Sequence, residues 1–306
     1  MQVLVLGGTG FLGSHLVVGL LREGHRVRSV SRHLPGLLPV SCLNHPRFEG
    51  IEGDLGDPAG LRRSFDGVDA CFHLVSTTLP HSSNNDPIFD VQSNLVGTLQ
   101  LLEEARRIGL RRLIFVSSGG TVYGVPRTVP IAEDHPTAAL CSYGITKRAI
   151  EQYLELYRHL HGLENWVLRL ANPYGERQRT VASQGAVAVF LGKIMRGEPI
   201  ELWGDGSTVR DFLYVGDAIE AMLRLLTYQG EERLFNIGSG RGYSLNQLIH
   251  TIAGVTQQEP RISHMPVRGF DVPSNVLCIE RAGRELAWQP RTSLQQGIEA
   301  FHRSLI

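Results

Sequence analysis

The chain has 306 residues, which suggests about two domains at roughly 150 residues each. Lys+Arg and Asp+Glu each number 30, and this zero net charge argues against a nucleic-acid partner, because binding a polyanion needs an excess of cations. Hydrophobic residues make up 42% and charged residues 20%, as in an ordinary globular protein.

The same composition bears on metals, membranes and compartment. The four cysteines, at positions 42, 71, 141 and 278, show no Cys-x-x-Cys spacing, so neither a metal site nor a disulfide framework is expected. No apolar run approaches the roughly 18 residues of a membrane helix. The first residues lack the charged and apolar regions of a signal peptide, so none is expected. We therefore expect a cytoplasmic protein without a membrane partner.

The first half of the chain alternates strand and helix. Apolar runs predict buried strands at 2–6, 27–31, 69–74, 113–117 and 166–170. Helical apolar spacing appears at 11–23, at 91–108 and after residue 142, with a further helix start at Asp57-Pro58. This alternation predicts an α/β fold with a doubly wound parallel sheet.

The rhythm changes after about residue 172, where loops lengthen and Gly, Pro and Arg cluster. Two capping boxes, Ser244 with Gln247 and Ser293 with Gln296, predict short helices there. We predict a dinucleotide-binding domain over 1–171 and a smaller α+β substrate domain over 172–306.

A glycine-rich loop lies between the first strand and the first helix. Gly7 suits the tight turn, Gly10 lets the backbone approach a pyrophosphate, and Gly13 lets the helix pack closely. This context predicts a site for a nicotinamide dinucleotide.

The second strand ends in Ser31 and Arg32, where NAD-binding sheets usually carry an acidic residue. Arg32 suits the 2′-phosphate of NADP, but it equally suits stacking on adenine or exposure to solvent, so NAD and NADP both remain open. Asp54 lies where such folds contact adenine, and it equally suits capping of its own loop.

Tyr143 and Lys147 form a Tyr-x-x-x-Lys pair in the predicted helix after residue 142, where residues four apart share a face. A nearby ammonium and a positively charged nicotinamide ring favour the phenolate. We therefore expect a lowered pKa for Tyr143, which would make it a general acid and base near neutral pH.

With these residues, the sequence resembles the extended short-chain dehydrogenase/reductases of the Rossmann type, and among them the nucleotide-sugar epimerases and dehydratases. The UDP-glucose 4-epimerases look most similar. Besides the glycine loop and the Tyr–Lys pair, the resemblance rests on segments 72–74, 94–98, 117–124, 169–175, 203–206, 210–212 and 236–240.

The resemblance implies residue roles. Cofactor contacts are implied for Gly7, Gly10, Phe11, Leu12, Gly13, Ser31, Arg32, Asp54, Leu55, Leu74, Val75, Ser76, Tyr143 and Lys147. Of the UDP-sugar, Asn172 would bind a phosphate oxygen, Arg210 and Arg268 the pyrophosphate, Asp271 the ribose and Trp203 the region of the uracil. Asn275 stands where the family often has a bulky Tyr, and its smaller side chain would admit an N-acetyl group.

One position departs from the family pattern. Gly119 stands where the family usually has a Ser or Thr that hydrogen-bonds the sugar 4-hydroxyl. Ser118 or Thr121 would supply that hydroxyl, with Thr121 favoured, or Tyr143 would act alone. The acid–base pair of the sugar 4,6-dehydratases is replaced by Gly120-Thr121, which argues against a dehydratase.

The resemblance implies a 4-epimerase of UDP-hexoses or UDP-N-acetylhexosamines that works through a transient 4-keto sugar. The alternatives are an NADP-dependent reductase of a keto-sugar or related carbonyl, and a non-enzymatic redox sensor or scaffold. Family members commonly dimerise through helices equivalent to 92–108 and 143–161. A homodimer is therefore expected, with contacts at Leu99, Leu102, Tyr153 and Tyr157.

Overall fold

The structure is a computed structural model that describes residues 1–181, 185–266 and 272–306. The chain divides into two compact units. Unit 1 comprises 1–122, 139–169 and 219–235, and unit 2 comprises 123–138, 170–218 and 236–306. The units interleave along the chain, and the division between 171 and 172 stays a prediction.

The described residues form thirteen β-strands. They are β1 (Gln2–Leu6), β2 (Arg26–Ser31), β3 (Phe48–Glu52), β4 (Ala70–His73), β5 (Arg112–Ser118), β6 (Asn165–Leu170), β7 (Asn172–Tyr174), β8 (Ile200–Trp203), β9 (Val209–Tyr214), β10 (Leu234–Ile237), β11 (Gly242–Ser244), β12 (Ile262–Met265) and β13 (Ser274–Asn275).

The helices follow the same order. They are α1 (Phe11–Arg22), α2 (Val40–Leu43), α3 (Pro58–Ser64), α4 (Pro87–Asp90), a π-helical segment (Val91–Val96), α5 (Gly97–Arg107), α6 (Ser142–His161), α7 (Ala186–Met195), α8 (Val215–Thr227), α9 (Leu245–Thr256), α10 (Glu280–Leu286) and α11 (Leu294–Arg303). In these described ranges, no helix is long and apolar enough to cross a bilayer. The cytoplasmic location stays a prediction.

Seven strands of the described chain form one parallel sheet in the order β10-β6-β5-β4-β1-β2-β3. The strands extend in both directions from β1, which confirms the doubly wound fold class. The predicted strands at 2–6, 27–31, 69–74, 113–117 and 166–170 correspond to β1, β2, β4, β5 and β6. Sequence reasoning missed β3 because this edge strand alternates with polar, exposed residues rather than forming an apolar run.

The predicted long helix over 91–108 is interrupted in the structure. Its first part is a π-helical segment, preceded by the short helix α4 and followed by α5. Apolar spacing does not distinguish a π-turn from an α-turn over so few residues, whereas π-segments often occur at functional sites.

Each unit has its own core. The core of unit 1 packs sheet residues such as Leu4 and Phe115 against helix residues such as Leu101 and Leu154. In unit 2, β9 pairs with β7, β11 and β13, and β8 pairs with β12. Both predicted capping boxes are present, at the starts of α9 and α11.

Candidate active site

The glycine loop has the geometry that a bound diphosphate needs. Gly7 has φ +86°, and its amide donates to Val30 O at 2.8 Å. A β-carbon on Gly13 would lie 2.1 Å from Gly7 O, so the loop and α1 approach as closely as only glycine permits. Gly10, the N-cap of α1, has no side chain to cap the first-turn amides, so these amides are available to bind an anionic ligand. The loop therefore fits the pyrophosphate of a dinucleotide.

The neighbouring predicted cofactor residues lie around this loop. Val75 follows β4 and contacts Gly7, where an added β-carbon would be 3.4 Å from Val75 Cγ2. The hydroxyl of Ser31 accepts a hydrogen bond from the Thr9 amide at 3.2 Å, so it ties the loop to the end of β2. Phe11, Leu12 and Leu74 are partly buried. These contacts place the residues but leave their cofactor roles as predictions.

The predicted adenine-side residues differ in environment. Arg32 is exposed immediately after β2. Its proposed contact with a 2′-phosphate, and with it the choice between NAD and NADP, stays a prediction. Asp54 accepts a hydrogen bond from the Gly56 amide at 2.8 Å, which is the loop-capping interaction considered for it. Leu55 is buried in the core of unit 1, against Gly97. Its side chain therefore contributes first to packing.

Tyr143 and Lys147 lie in the first turns of α6, with Lys147 Nζ 5.6 Å from the centre of the Tyr143 ring. The Tyr143 hydroxyl lies near the side-chain hydroxyls of Ser76 and Ser118, which act to lower its pKa. Lys147 is buried and donates to Val116 O at 3.0 Å. The ends of β4 and β5 thus supply two hydroxyls to the phenol and a carbonyl to the ammonium.

The lowered pKa expected for Tyr143 depended on the nicotinamide ring as well as on the ammonium, and the protein chain alone does not produce it. Burial, reinforced by the nearby Cys141 thiol and the Asp90 carboxylate, raises the pKa of Tyr143 to about 12, although the Ser76 and Ser118 hydroxyls act to lower it. Burial also lowers the pKa of Lys147 to about 8, although Glu151 and Asp90 act to raise it. An i, i+4 ammonium therefore does not suffice to make the phenol acidic.

Loop residues distant in sequence fix the start of α6. The N-cap residue Cys141 makes no side-chain cap. Instead, Asn84 Oδ1 accepts from the Ser142 amide at 2.9 Å, and Ser83 Oγ accepts from the Tyr143 amide at 3.0 Å. The turn that carries the phenol is therefore capped by the segment that follows β4.

A second polar cluster lies beneath Lys147. Glu151 is 5% exposed and accepts hydrogen bonds from Ser117 Oγ at 2.6 Å and from Arg169 Nη2 at 2.7 Å. Arg148 adds an ion pair at 3.3 Å. This paired carboxylate is one helical turn from Lys147, and its charge favours the ammonium form.

Thr121 and Ser118, the two candidates to replace the missing hydroxyl at Gly119, are placed differently. Ser118 contacts the Tyr143 hydroxyl. Thr121 Oγ1 is buried and has no hydrogen-bond partner among the described residues. A buried hydroxyl without a partner is costly, so Thr121 Oγ1 fits a ligand hydroxyl that would satisfy it. Gly144 allows the close approach, since its β-carbon would lie 2.9 Å from Thr121 O.

Unit 2 holds the predicted nucleotide-sugar residues. Asn172 Nδ2 donates to Asp211 O at 2.9 Å, and Arg210 Nη1 donates to Val272 O at 2.6 Å, so both lie at neighbouring strands of one sheet. Trp203 is partly buried at the end of β8. Arg268 and Asp271 lie outside the described residues. Across those residues no three His, Cys, Asp or Glu side chains gather as a metal site.

Sequence reasoning missed several residues that organise this region. Asp90 and Glu151 are buried carboxylates, and Ser83 and Asn84 cap a helix some 60 positions away. Their partners are distant in the chain, so no local spacing reveals them.

A family model described as the NAD dependent epimerase/dehydratase family matches residues 3–238. The chain belongs to this family. Membership confirms the predicted family resemblance, enzyme class and nicotinamide cofactor, and the description names NAD.

Individual relatives show the same likeness. The UDP-glucose 4-epimerase of Mycolicibacterium smegmatis is 36% identical over 97% of this chain and 96% of its own length. The crystal structure of UDP-glucose 4-epimerase from Thermotoga maritima, with UDP-glucose, matches with a TM-score of 0.94 at 35% identity, covering 100% of this chain and 98% of that one. A different activity also occurs: dTDP-4-dehydro-6-deoxyglucose reductase of Escherichia coli is 33% identical over 99% of this chain and 97% of its own length.

Proposed function

We propose that the protein is a UDP-sugar 4-epimerase that acts on a UDP-hexose or UDP-N-acetylhexosamine through a transient 4-keto sugar. The observation that carries the proposal is the phenol of Tyr143, which lies near the Ser118 hydroxyl and has the buried Lys147 ammonium 5.6 Å from its ring centre. Similarity to UDP-glucose 4-epimerases along nearly the whole chain supports it.

The chain's own residues would move one proton. Tyr143 takes the proton from the sugar 4-hydroxyl as the C4–H bond breaks, and returns it when the bond re-forms on the other face. Bound NAD supplies the hydride acceptor and donor at C4. Lys147 would hold the cofactor ribose and adds positive charge beside the phenol, while the Gly7–Gly13 loop would hold the pyrophosphate.

Residues of unit 2 would anchor the nucleotide. Arg210 suits the diphosphate because a guanidinium offers several donors to phosphate oxygens, and Asn172 adds an amide. Binding energy placed on the nucleotide leaves the sugar free to turn before the hydride returns. Arg268, Asp271 and Trp203 belong to the same proposal.

The experiment that tests the proposal combines mass spectrometry with an assay. We expect small molecules released from the denatured protein to include NAD, and purified protein to interconvert UDP-glucose and UDP-galactose, or their N-acetyl forms, without net NADH formation. If no UDP-sugar is inverted at C4, the proposal fails.

The second candidate is a reductase of a keto-sugar, which the exposed Arg32 and the related reductase favour. A reductase consumes added NADPH in proportion to substrate, whereas an epimerase recycles its cofactor. Absorbance of the reduced cofactor during turnover therefore separates the two candidates.

The hydroxyls of Ser118 and Thr121 are expected to affect kcat alike but substrate binding differently. Ser118→Ala removes a direct partner of the phenol, and Thr121→Val removes the hydroxyl assigned to the substrate while keeping its shape. We expect each to lower kcat by about 10-fold, the worth of one hydrogen bond, and only Thr121→Val also to weaken UDP-sugar binding. Steady-state kinetics measures this. Equal, unchanged KM values in both variants would remove Thr121 from the substrate site.

We also propose that the protein forms a homodimer through α5 and α6. Apolar side chains are exposed on α6 at Ile145, Leu156 and Leu160. The predicted contact at Leu102 is wrong, because this side chain is fully buried in the core of its own unit. Leu99 and Tyr157 pack partly against the same core, and Tyr153 is exposed at its edge.

Light scattering should give twice the 33.8 kDa mass of one chain. Leu156→Glu is expected to reduce it, because a charge at a dimer contact would lose its water. A monomeric mass for the unaltered protein would contradict the dimer.

A further inference from the structure

A single buried carboxylate joins α6 to the segment that precedes it. Asp90, the last residue of α4, has no exposed surface. Its Oδ2 accepts hydrogen bonds from Ser142 Oγ at 2.7 Å and from Thr146 Oγ1 at 2.8 Å. Ser142 and Thr146 are four residues apart and lie on either side of Tyr143 in the sequence. The carboxylate therefore fixes the turn of α6 that carries the phenol.

The other oxygen of Asp90 binds the loop that follows β4 and the π-helical segment. Oδ1 accepts from Asn94 Nδ2 at 3.0 Å and from Thr78 Oγ1. The main-chain carbonyl of Thr78 in turn accepts from Ser76 Oγ at 3.2 Å, and Ser76 contacts the Tyr143 hydroxyl. One side chain thus sets both the helix that presents the phenol and the loop that bonds to its hydroxyl.

We propose that Asp90 is a positioning residue for the Tyr143–Lys147 pair, which it holds by its four hydrogen bonds and its charge. The catalytic part of this proposal rests on the proposed epimerase function, whereas its electrostatic part does not. Sequence spacing gives no hint of the role, because the partners come from three separate segments.

The charge of Asp90 reaches both members of the pair. It raises the pKa of Tyr143 and the pKa of Lys147. The other titratable groups that face the pair are Cys141 and Glu151, at the start of α6 and within it, and His73 at the end of β4. Removal of the Asp90 charge should therefore lower the pKa of Tyr143 and the pKa of Lys147, so that each side chain loses its proton at a lower pH.

The sequence makes this measurable without any substrate, because Lys147 and Lys193 are its only lysines. Nuclear magnetic resonance of protein labelled at the lysine side chains should show two signals, with Lys147 titrating near pH 8. In Asp90→Asn we expect the Lys147 midpoint to fall and that of Lys193, which is paired with Glu201, to stay. An unchanged Lys147 midpoint would overturn the electrostatic part.

Kinetics tests the positioning. Asp90→Asn should lower kcat by about 100-fold, the usual cost of a displaced reacting group, while KM changes less than about twofold. Its pH profile should also move to lower pH as a whole, which a purely structural defect would not produce. Asp86→Asn is the matched control, since exposed Asp86 caps α4 and an asparagine keeps that cap.

Thr146→Val provides a second test of the positioning role if Asp90→Asn fails to fold. It removes one hydrogen bond to Asp90 and keeps the charge, so kcat should fall about 10-fold with the Lys147 midpoint unmoved. Wild-type kcat in Thr146→Val or in folded Asp90→Asn would overturn the proposal. If the unaltered protein inverts no UDP-sugar, the epimerase proposal fails, and the lysine titration still decides the electrostatic role of Asp90.

Discussion

Tyr143→Phe is expected to lower epimerase kcat by at least about 100-fold, because it deletes the group that takes and returns the proton. The substitution removes one oxygen and leaves the ring, whose neighbours Lys147 and Ser118 are unaltered. Binding of UDP-sugar and the NAD content of the purified protein should largely persist, since Tyr143 is only one of the residues implied to contact the cofactor and the substitution keeps its ring. Interconversion of UDP-glucose and UDP-galactose, followed at saturating substrate, measures the loss.

Tyr157→Phe is the matched control. Tyr157 lies on the same helix, and its hydroxyl donates to Glu103 at the surface. Loss of that hydroxyl should leave kcat unchanged. If Tyr143→Phe kept near-complete activity, proton transfer by the phenol would be wrong, whatever the fold shows.

The reaction requires Tyr143 to act as a base, and the protein chain alone does not explain how its phenol loses its proton. Burial raises the pKa of Tyr143 and lowers that of Lys147, so the two changes partly oppose the chemistry expected from the motif. The positive nicotinamide ring of bound NAD would add to the contributions of Ser76, Ser118 and Lys147 that favour the phenolate. We infer that the phenol becomes a base chiefly in the cofactor complex.

The difference between sequence and structure follows from which interactions are local. The glycine loop, the Tyr143–Lys147 spacing and the capping boxes each lie within a few residues, and these patterns predict their structures correctly. Asp90 and the caps of α6 depend on residues up to 60 positions apart, so periodicity carries no trace of them. Strand β10 was not predicted from the sequence, and it joins the sheet beside β6, whose residues lie more than 60 positions earlier in the chain.

Gly13→Ala is expected to weaken NAD binding by at least about tenfold and to destabilise unit 1 by about 1–3 kcal/mol, the usual cost of overpacking. The new methyl group would lie 2.1 Å from Gly7 O and 2.6 Å from Gly8 Cα. Both contacts are with backbone, which cannot rotate away as a side chain would. The loop must therefore move, and the first-turn amides of α1 would no longer be oriented to bind the pyrophosphate.

Two glycine-to-alanine controls isolate this effect. Gly10→Ala should destabilise unit 1 less, since its β-carbon meets only Gly7 O, at 3.3 Å, while it should still lower NAD content because it crowds the pyrophosphate. Gly254→Ala, in α9 with no atom within 4 Å, should instead stabilise the protein by about 0.5–1 kcal/mol, because alanine favours the helix. NAD content after purification and urea unfolding measure the series. Equal NAD content in the Gly13 and Gly254 variants would show that the tight loop is not what holds the cofactor.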